Sequence, residues 1–420
     1  MAALDIDLSD SAFWGRPPAE RHEAFARLRA LDRPAFLAEP ETPFAEPGPG
    51  YYALVRHSDV TEASRNPEVF CSGRGATQIV DVPDDFNEYF GSMINMDDPR
   101  HARLRRIVSR SFTPRMIKKF EADVQRAAGQ IVTELLDAGP CDFVQHVAAR
   151  LPLKIICDMM GIGDAYYAMV LRNSNTILSG YDPELISEDM DEALGQIFAA
   201  AEELRALVSD LAATRVSNPT DDLVSALVNA NVDGERLTGQ ELASFFILLV
   251  VAGNETTRNA ISHALWLLTE FGDQRALLTA DFEGRIGGAV EEIVRYGSPV
   301  IFMRRTLTRD YTMGGHDYAA GDKVVLFYWA ANRDESVFAD PARFDITRQP
   351  NPHLGFGGPG PHFCLGAHLA RREITVMLRE LTRRVPDIRA GGEPDRLLSA
   401  FINGIKRMPC EFSAARRRAR

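Results

Sequence analysis

The chain predicts a mainly α (α+β) protein: a large helical bundle with a long central helix and small β-sheets at one side. Three observations carry this. Across residues 99–278 apolar side chains recur at helical spacing almost without a break. Short strand-like runs lie outside that stretch, at residues 51–56, 303–308 and 323–329. A loop dense in glycine and proline runs from His353 to Phe363 and delivers Cys364, and an apolar helical pattern follows at once.

Taken in order, residues 1–90 mix proline-rich turns with one strand-like run. The helical stretch that follows is interrupted at Gly139-Pro140 and at Asn218-Pro219, where proline cannot continue a helix. Thr238, Gly239, Gln240 and Glu241 have the form of a capping box. The helix that it opens can run to about Glu270, roughly 45–50 Å at the usual rise. Another helix is expected around Ala289 to Arg295, and one from Cys364 to about Arg384. Residues 35–70 and 296–350 form the β-rich parts, and residues 99–295 and 364–385 the helical parts. Residues 411–420, with their arginine-rich end, read as a disordered tail. No boundary falls in a flexible linker, so residues 1–420 read as one composite domain.

Net charge is −12 over 420 residues, which disfavours nonspecific binding to nucleic acid. The acidic N-terminus has no apolar core, and the longest apolar run, Phe245 to Ala252, is far too short to span a bilayer. A cytoplasmic protein is expected. Five scattered cysteines contain no C-x-x-C pair, so Cys71, Cys141, Cys157 and Cys410 read as structural thiols. Cys364 differs. Glycine lets the backbone approach a flat ligand closely, and a helix mouth favours the thiolate. A buried thiolate needs a cation, and haem iron suits it.

Within the long helix, Ala252-Gly253-Asn254-Glu255-Thr256-Thr257 is poor material for a buried helix centre. Local cost of that kind is expected where a ligand approaches the backbone and protons are delivered. Glu292 and Arg295 lie on one helix face, and Arg343 can complete an Arg-Glu-Arg cluster. His101 and Arg105 stand four residues apart and can grip one carboxylate from the same side. Arg305 and His362 can add donors, as the two propionates of haem require; each cation taken singly also fits plain surface charge. Between Arg100 and Lys119 stand Arg103, Arg106, Arg110, Arg115 and Lys118 with no acidic residue. Such a patch on an anionic protein suits an acidic partner, and equally a solvated helix face.

Together these motifs resemble the bacterial cytochromes P-450 over nearly the whole chain. The sequences around Met96 to Arg105, Phe245 to Asn259 and Phe356 to Cys364 are most similar to the mycobacterial methyl-branched-lipid ω-hydroxylases, with the cholesterol side-chain hydroxylases next. The resemblance implies the cytochrome P-450 fold, haem b and O₂. It makes Cys364 the axial iron ligand, and His101, Arg105, Arg305 and His362 the propionate partners. Phe356, Ala252 and Gly253 flank the haem, Glu255 and Thr256 govern protons at the oxygen site, and Glu292, Arg295 and Arg343 form the scaffold triad. Phe356 stands one residue farther from the cysteine than in the commonest family pattern, as in similar lipid hydroxylases.

The implied reaction is terminal hydroxylation of a methyl-branched fatty acid or isoprenoid, with a sterol side chain as the alternative. No flavin or nicotinamide motif is present, so electrons are expected from an iron–sulfur ferredoxin and its NAD(P)H-dependent reductase. Docking is expected near residues 100–119 and at Arg371 and Arg372. Leu248, Val300, Phe302, Met303, Phe401 and Ile402 are candidates for an apolar substrate pocket, and also for plain core. A non-catalytic haem-thiolate sensor is the competing reading from another class. It would have no need of Glu255 and Thr256. A hydrolase has no support, since no G-x-S-x-G elbow is present.

Overall fold

The capping box at Thr238 starts the long helix, Gly239–Glu270. Glu241 N donates to Thr238 Oγ1 at 3.1 Å and Thr238 N donates to Glu241 Oε2 at 2.9 Å, which satisfies donors that a helix start leaves open. In this computed structural model, residues 6–413 are described except 9, 41–46, 112–113, 179–181, 188 and 232–233. Around the long helix pack Arg150–Met160, Tyr167–Ile177, Met190–Ser217, Phe282–Gly297 and Ala367–Arg384. Phe245, Phe246, Ile247 and Val250 from its first half join Leu151, Ile155, Ile374 and Met377 in one large apolar core.

The breaks fall where the sequence places them. Pro114–Ala138 ends before Gly139-Pro140, and Met190–Ser217 before Asn218-Pro219. A further stop comes at Gly161, in the left-handed region at φ 73°, where a Cβ would meet Asp222 Oδ2 at 2.3 Å. The near-continuous helical pattern also hides a single π-turn at Val144–Ala148.

Strands β1 (Ala35–Leu37), β2 (Tyr51–Leu54), β3 (Phe70–Cys71), β4 (Phe302–Leu307), β5 (Tyr311–Met313), β6 (His316–Tyr318) and β7 (Lys323–Phe327) form a hairpin, β5–β6, and a five-stranded sheet ordered β1-β2-β7-β4-β3. Pairing is antiparallel except between β2 and β7, where Tyr52 lies opposite Val324. Central strand β7 is buried throughout. Val324 and Leu326 face one cluster with Leu54 and Leu307, while Val325 and Phe327 face another with Phe25 and Trp329. This two-sided burial explains why β7 reads as an unbroken apolar run. The strand expected over residues 323–329 stops at Phe327, because Tyr328–Ala331 turns into a short helix that carries Trp329 into the second cluster.

Residues 1–90 are more helical than expected, with helices Pro18–Arg29, His57–Arg65 and Asp84–Gly91. The tail expectation also needs correction at its start. Cys410–Glu411 pairs with Arg389–Ala390, and Phe412 is buried; residues 414–420 lie outside the described part.

Candidate active site: a thiol loop and an uncovered row on the central helix

Glycine is required twice in the loop before Cys364. A Cβ on Gly358 would stand 2.3 Å from Ser64 Oγ, and one on Gly360 2.2 Å from the Ser64 carbonyl oxygen. Close seating on the helix His57–Arg65 therefore fixes the path. Cys364 N donates to the Phe356 carbonyl at 2.9 Å and closes the loop, and Ala367–Arg384 begins three residues later. Cys364 is the one exposed cysteine of the five. Burial of the surrounding loop raises its pKa, and the Gly366 N–H, Arg105 and Arg371 pull it back. A thiolate here has donors and cations in place.

The loop is anchored to the scaffold pair. Arg295 and Glu292, both fully buried, meet through two bonds of 2.7 Å. Arg295 Nη1 donates to the Asn332 carbonyl, Leu354 N donates to Asn332 Oδ1 at 2.6 Å, and Asn351 Nδ2 donates to Glu292 Oε2. The second cation of this cluster is Arg348, at 3.3 Å from Glu292. The expectation of Arg343 is corrected: its side chain is 57% exposed and faces Asp273, and only its carbonyl reaches Arg295.

On the central helix Leu248, Ala252 and Thr256 follow at intervals of four. Ala252 is exposed and the other two are half-buried, although Val250, Val251, Asn254 and Glu255 beside them are buried. One row of the helix is thus left uncovered by protein. Gly253 is half-buried at its edge. Thr256 Oγ1 donates to the Ala252 carbonyl at 2.7 Å, the back-bonding that loosens a helix locally. Glu255 is held apart from that hydroxyl. It is ion-paired with Arg258 and accepts from Asn259 at 2.9 Å, and its Oε2 has no partner among the described residues.

Basic residues from three segments gather beside the loop. The rings of His101 and His362 lie 4.3 Å apart, and Arg105 Nη2 donates to the Phe363 carbonyl at 2.6 Å. Burial and the charges of Arg305, His101 and Arg105 push His362 down to about 2. Burial and Arg105 lower His101, whose Nε2 is buried without a partner. Arg305 is buried and spends one N–H on its neighbour's carbonyl. A buried donor set of this kind calls for an anion.

The apolar candidates divide. Alternation along β4 puts Met303 on the face of Arg305 and Phe302 on the opposite face. Phe302 is core, packed against Phe327 and Phe401, which corrects its assignment to the pocket. Ile402 is buried in a bridge to half-buried Val300. Leu248, Met303 and Phe401 stay partly open.

The expected docking cations are also partly engaged. Arg103 pairs with Glu241 at 2.6 Å and Arg106 with Glu235. Arg371 pairs with Glu291 at 2.6 Å and lies 4.2 Å over the Phe356 ring, so it braces the loop rather than a partner. Arg115 and Lys119 have side chains outside the described part, while Lys118 is exposed. Sequence reasoning missed Arg348, Glu291 and Asn332. Among these only Arg348 left a trace, as a second arginine five residues past the one chosen.

A family model described as Cytochrome P450 matches residues 287–384. The methyl-branched lipid omega-hydroxylase of Mycobacterium tuberculosis is 51% identical over 412 residues, which cover 97% of this chain and 95% of that relative. The chain belongs to the cytochrome P450 family. Steroid C26-monooxygenase of Rhodococcus jostii is 39% identical, covering 87% of this chain and 76% of the relative. The structure of a Mycobacterium marinum cytochrome P450 in complex with pseudoionone superposes with a TM-score of 0.92 at 44% identity, covering 97% of this chain and 98% of the other. The protein is thus a cytochrome P450 monooxygenase, and the family implies haem. The residues present fit that group. An exposed thiol at a helix mouth, an uncovered helix row and a cluster of buried donors match an iron ligand, a flat face and two carboxylates. Among the described residues no helix is long and apolar enough to cross a membrane.

Proposed function

We propose that this cytochrome P450 hydroxylates the terminal (ω) carbon of a methyl-branched fatty acid or isoprenoid, with haem b, O₂ and two electrons from a ferredoxin served by an NAD(P)H-dependent reductase. The 51% identity to relatives bearing the name methyl-branched lipid omega-hydroxylase supports the substrate class. The observation that carries the chemistry is the exposed Cys364 thiol at a helix mouth, flanked by Arg105 and Arg371.

In this reading Cys364 ligates the iron, and His101, Arg105, Arg305 and His362 hold the propionates. Phe356, Ala252 and Gly253 would flank the ring system. Haem bound in this way supplies the activation of O₂ and the transfer of one oxygen atom to an unreactive C–H bond. The chain's own residues hold the target carbon and time the protons. Thr256 is the hydroxyl at the uncovered row. It releases the Ala252 carbonyl to donate toward that row. When its pair with Arg258 opens, Glu255 would take a proton from solvent and pass it to Thr256 Oγ1. Glu292, Arg295 and Arg348 keep the cysteine loop in register. Leu248 and Met303 shape the apolar wall, while Val300, Phe401 and Ile402 back it. Exposed Lys118 and Phe363 are the groups we assign to ferredoxin docking.

A spin-state titration of the haem-loaded enzyme with branched and linear fatty acids, isoprenoids and sterols tests the reading. Product identification in a reconstituted ferredoxin system completes it. Tight binding of branched acids and a terminal alcohol are expected. Exclusive turnover of sterols would move the assignment to a side-chain hydroxylase, and binding without turnover to a sensor.

A further inference from the structure

A cleft of about 230 Å³ opens at the N-terminal end of the central helix, walled by Ser92, Arg100, Thr238, Gln240, Glu241 and Ser244. Its wall offers several hydrogen-bond donors. Ser92 is 1% exposed and its hydroxyl has no hydrogen-bond partner among the described residues. The Gly239 and Gln240 N–H groups, in the first turn of the helix, make no hydrogen bond among the described residues. Among the described residues the one carboxylate in the wall, Glu241, is already neutralised. Glu241 Oε1 accepts from Arg103 at 2.6 Å and Oε2 from Thr238 N. Arg100 lines the cleft with a partner of its own. Free N–H groups at the positive end of a 32-residue helix and a buried hydroxyl suit a carboxylate.

We propose that this cleft binds the carboxylate head of the lipid substrate, an inference that rests on the branched-acid reading above. Ser244 belongs to both features. It lines the cleft, and Leu248 and Ala252 of the uncovered row follow it at intervals of four. The axial rise from Ser244 to Ala252 is about 12 Å. A head held at the helix start therefore places the opposite end of an extended chain at the thiol side. The central helix acts as the spacer that selects the terminal carbon.

The test compares a methyl-branched fatty acid with its methyl ester by spin-state titration and by product position, using the holoenzyme. The parent enzyme should bind the acid about tenfold more tightly than the ester, the scale of one charge-assisted hydrogen bond. Ser92→Ala and Gln240→Glu should each weaken the acid about fivefold, hold the ester within about twofold, and move part of the product from the terminal to inner carbons. Gln240→Glu is informative because an acid in the first helical turn stabilises the helix, so weaker acid binding by a protein of undiminished thermal stability is no folding defect. Equal loss for acid and ester, or no change for either, overturns the assignment. Butyrate should compete with the acid and leave the ester alone. If it tightens the ester instead, the cleft holds a separate free anion, and the head-group assignment is wrong. If neither acid nor ester shifts the spin state of the parent, the branched-lipid reading itself fails and the cleft assignment falls with it.

Discussion

Glu373 lies on the helix behind Cys364, 3% exposed, with Oε2 unpartnered, and burial pushes its carboxyl up to about 8. The folded chain therefore keeps a proton that the unfolded chain has released above about pH 4.5. Stability falls as pH rises through the window from about 4.5 to 8, by about 1.4 kcal/mol per unit, and levels off above it. Glu373→Gln removes that dependence, so its melting temperature should exceed the parent's by more at pH 8 than at pH 5. An equal difference at both values would show the carboxyl to be ionised in the fold. At the same scale, Thr256→Ala removes the hydroxyl of the uncovered row without touching the thiol loop. It should retain haem and substrate binding while diverting reducing equivalents to peroxide or water, measured as NAD(P)H consumed per alcohol formed. Unchanged coupling would remove Thr256 from proton delivery.

Elements depend on a few anchored contacts. Glu292 accepts from two arginines and from Asn351 while fully buried, so loss of one partner leaves a buried carboxylate short of a charged donor. Arg348→Ala should cost about 3 kcal/mol and loosen haem retention, whereas Arg343→Ala, a surface pair with Asp273, should cost at most about 1 kcal/mol. Denaturant unfolding of the two holoenzymes separates them, and equal costs would contradict the Arg348 assignment. The two arginines also show where the sequence stops informing. Both lie within six residues of one loop, and residue type alone does not say which turns inward; a positive φ at Asp340 and the path after it decide. The long helix was legible because its capping box and apolar run are local. Pro18–Arg29 was not, because Arg21 and Arg29 take buried positions over Trp14 and Trp329 and against Glu335, which breaks the apolar periodicity. In the site, Cys364 was legible from its glycines, whereas the pocket wall was not. The side that Phe302 and Met303 each face depends on strand register, and one residue decides it.

The whole molecule carries net charge −12, so the ferredoxin proposed above, where it is acidic, would meet long-range repulsion and would need cations near the thiol loop to draw it in. Screening acts within about 10 Å at 0.1 M salt and about 3 Å at 1 M. Across that range reduction of the haem enzyme by ferredoxin should slow about tenfold while substrate affinity barely changes, as stopped-flow would read. A rate indifferent to salt would remove the electrostatic docking patch. At this scale the five-stranded sheet has a consequence of a different kind. β2 finds its parallel neighbour, β7, only near residue 324, and β3 finds β4 only when residue 307 is present. During synthesis the first seventy residues must wait for those strands, on the order of tens of seconds at ribosomal speeds. The helical core around Gly239–Glu270 can gather in that interval, and the N-terminal segment joins late. A ribosome stalled before residue 323 would therefore carry a helical body and an unpaired amino-terminal hairpin.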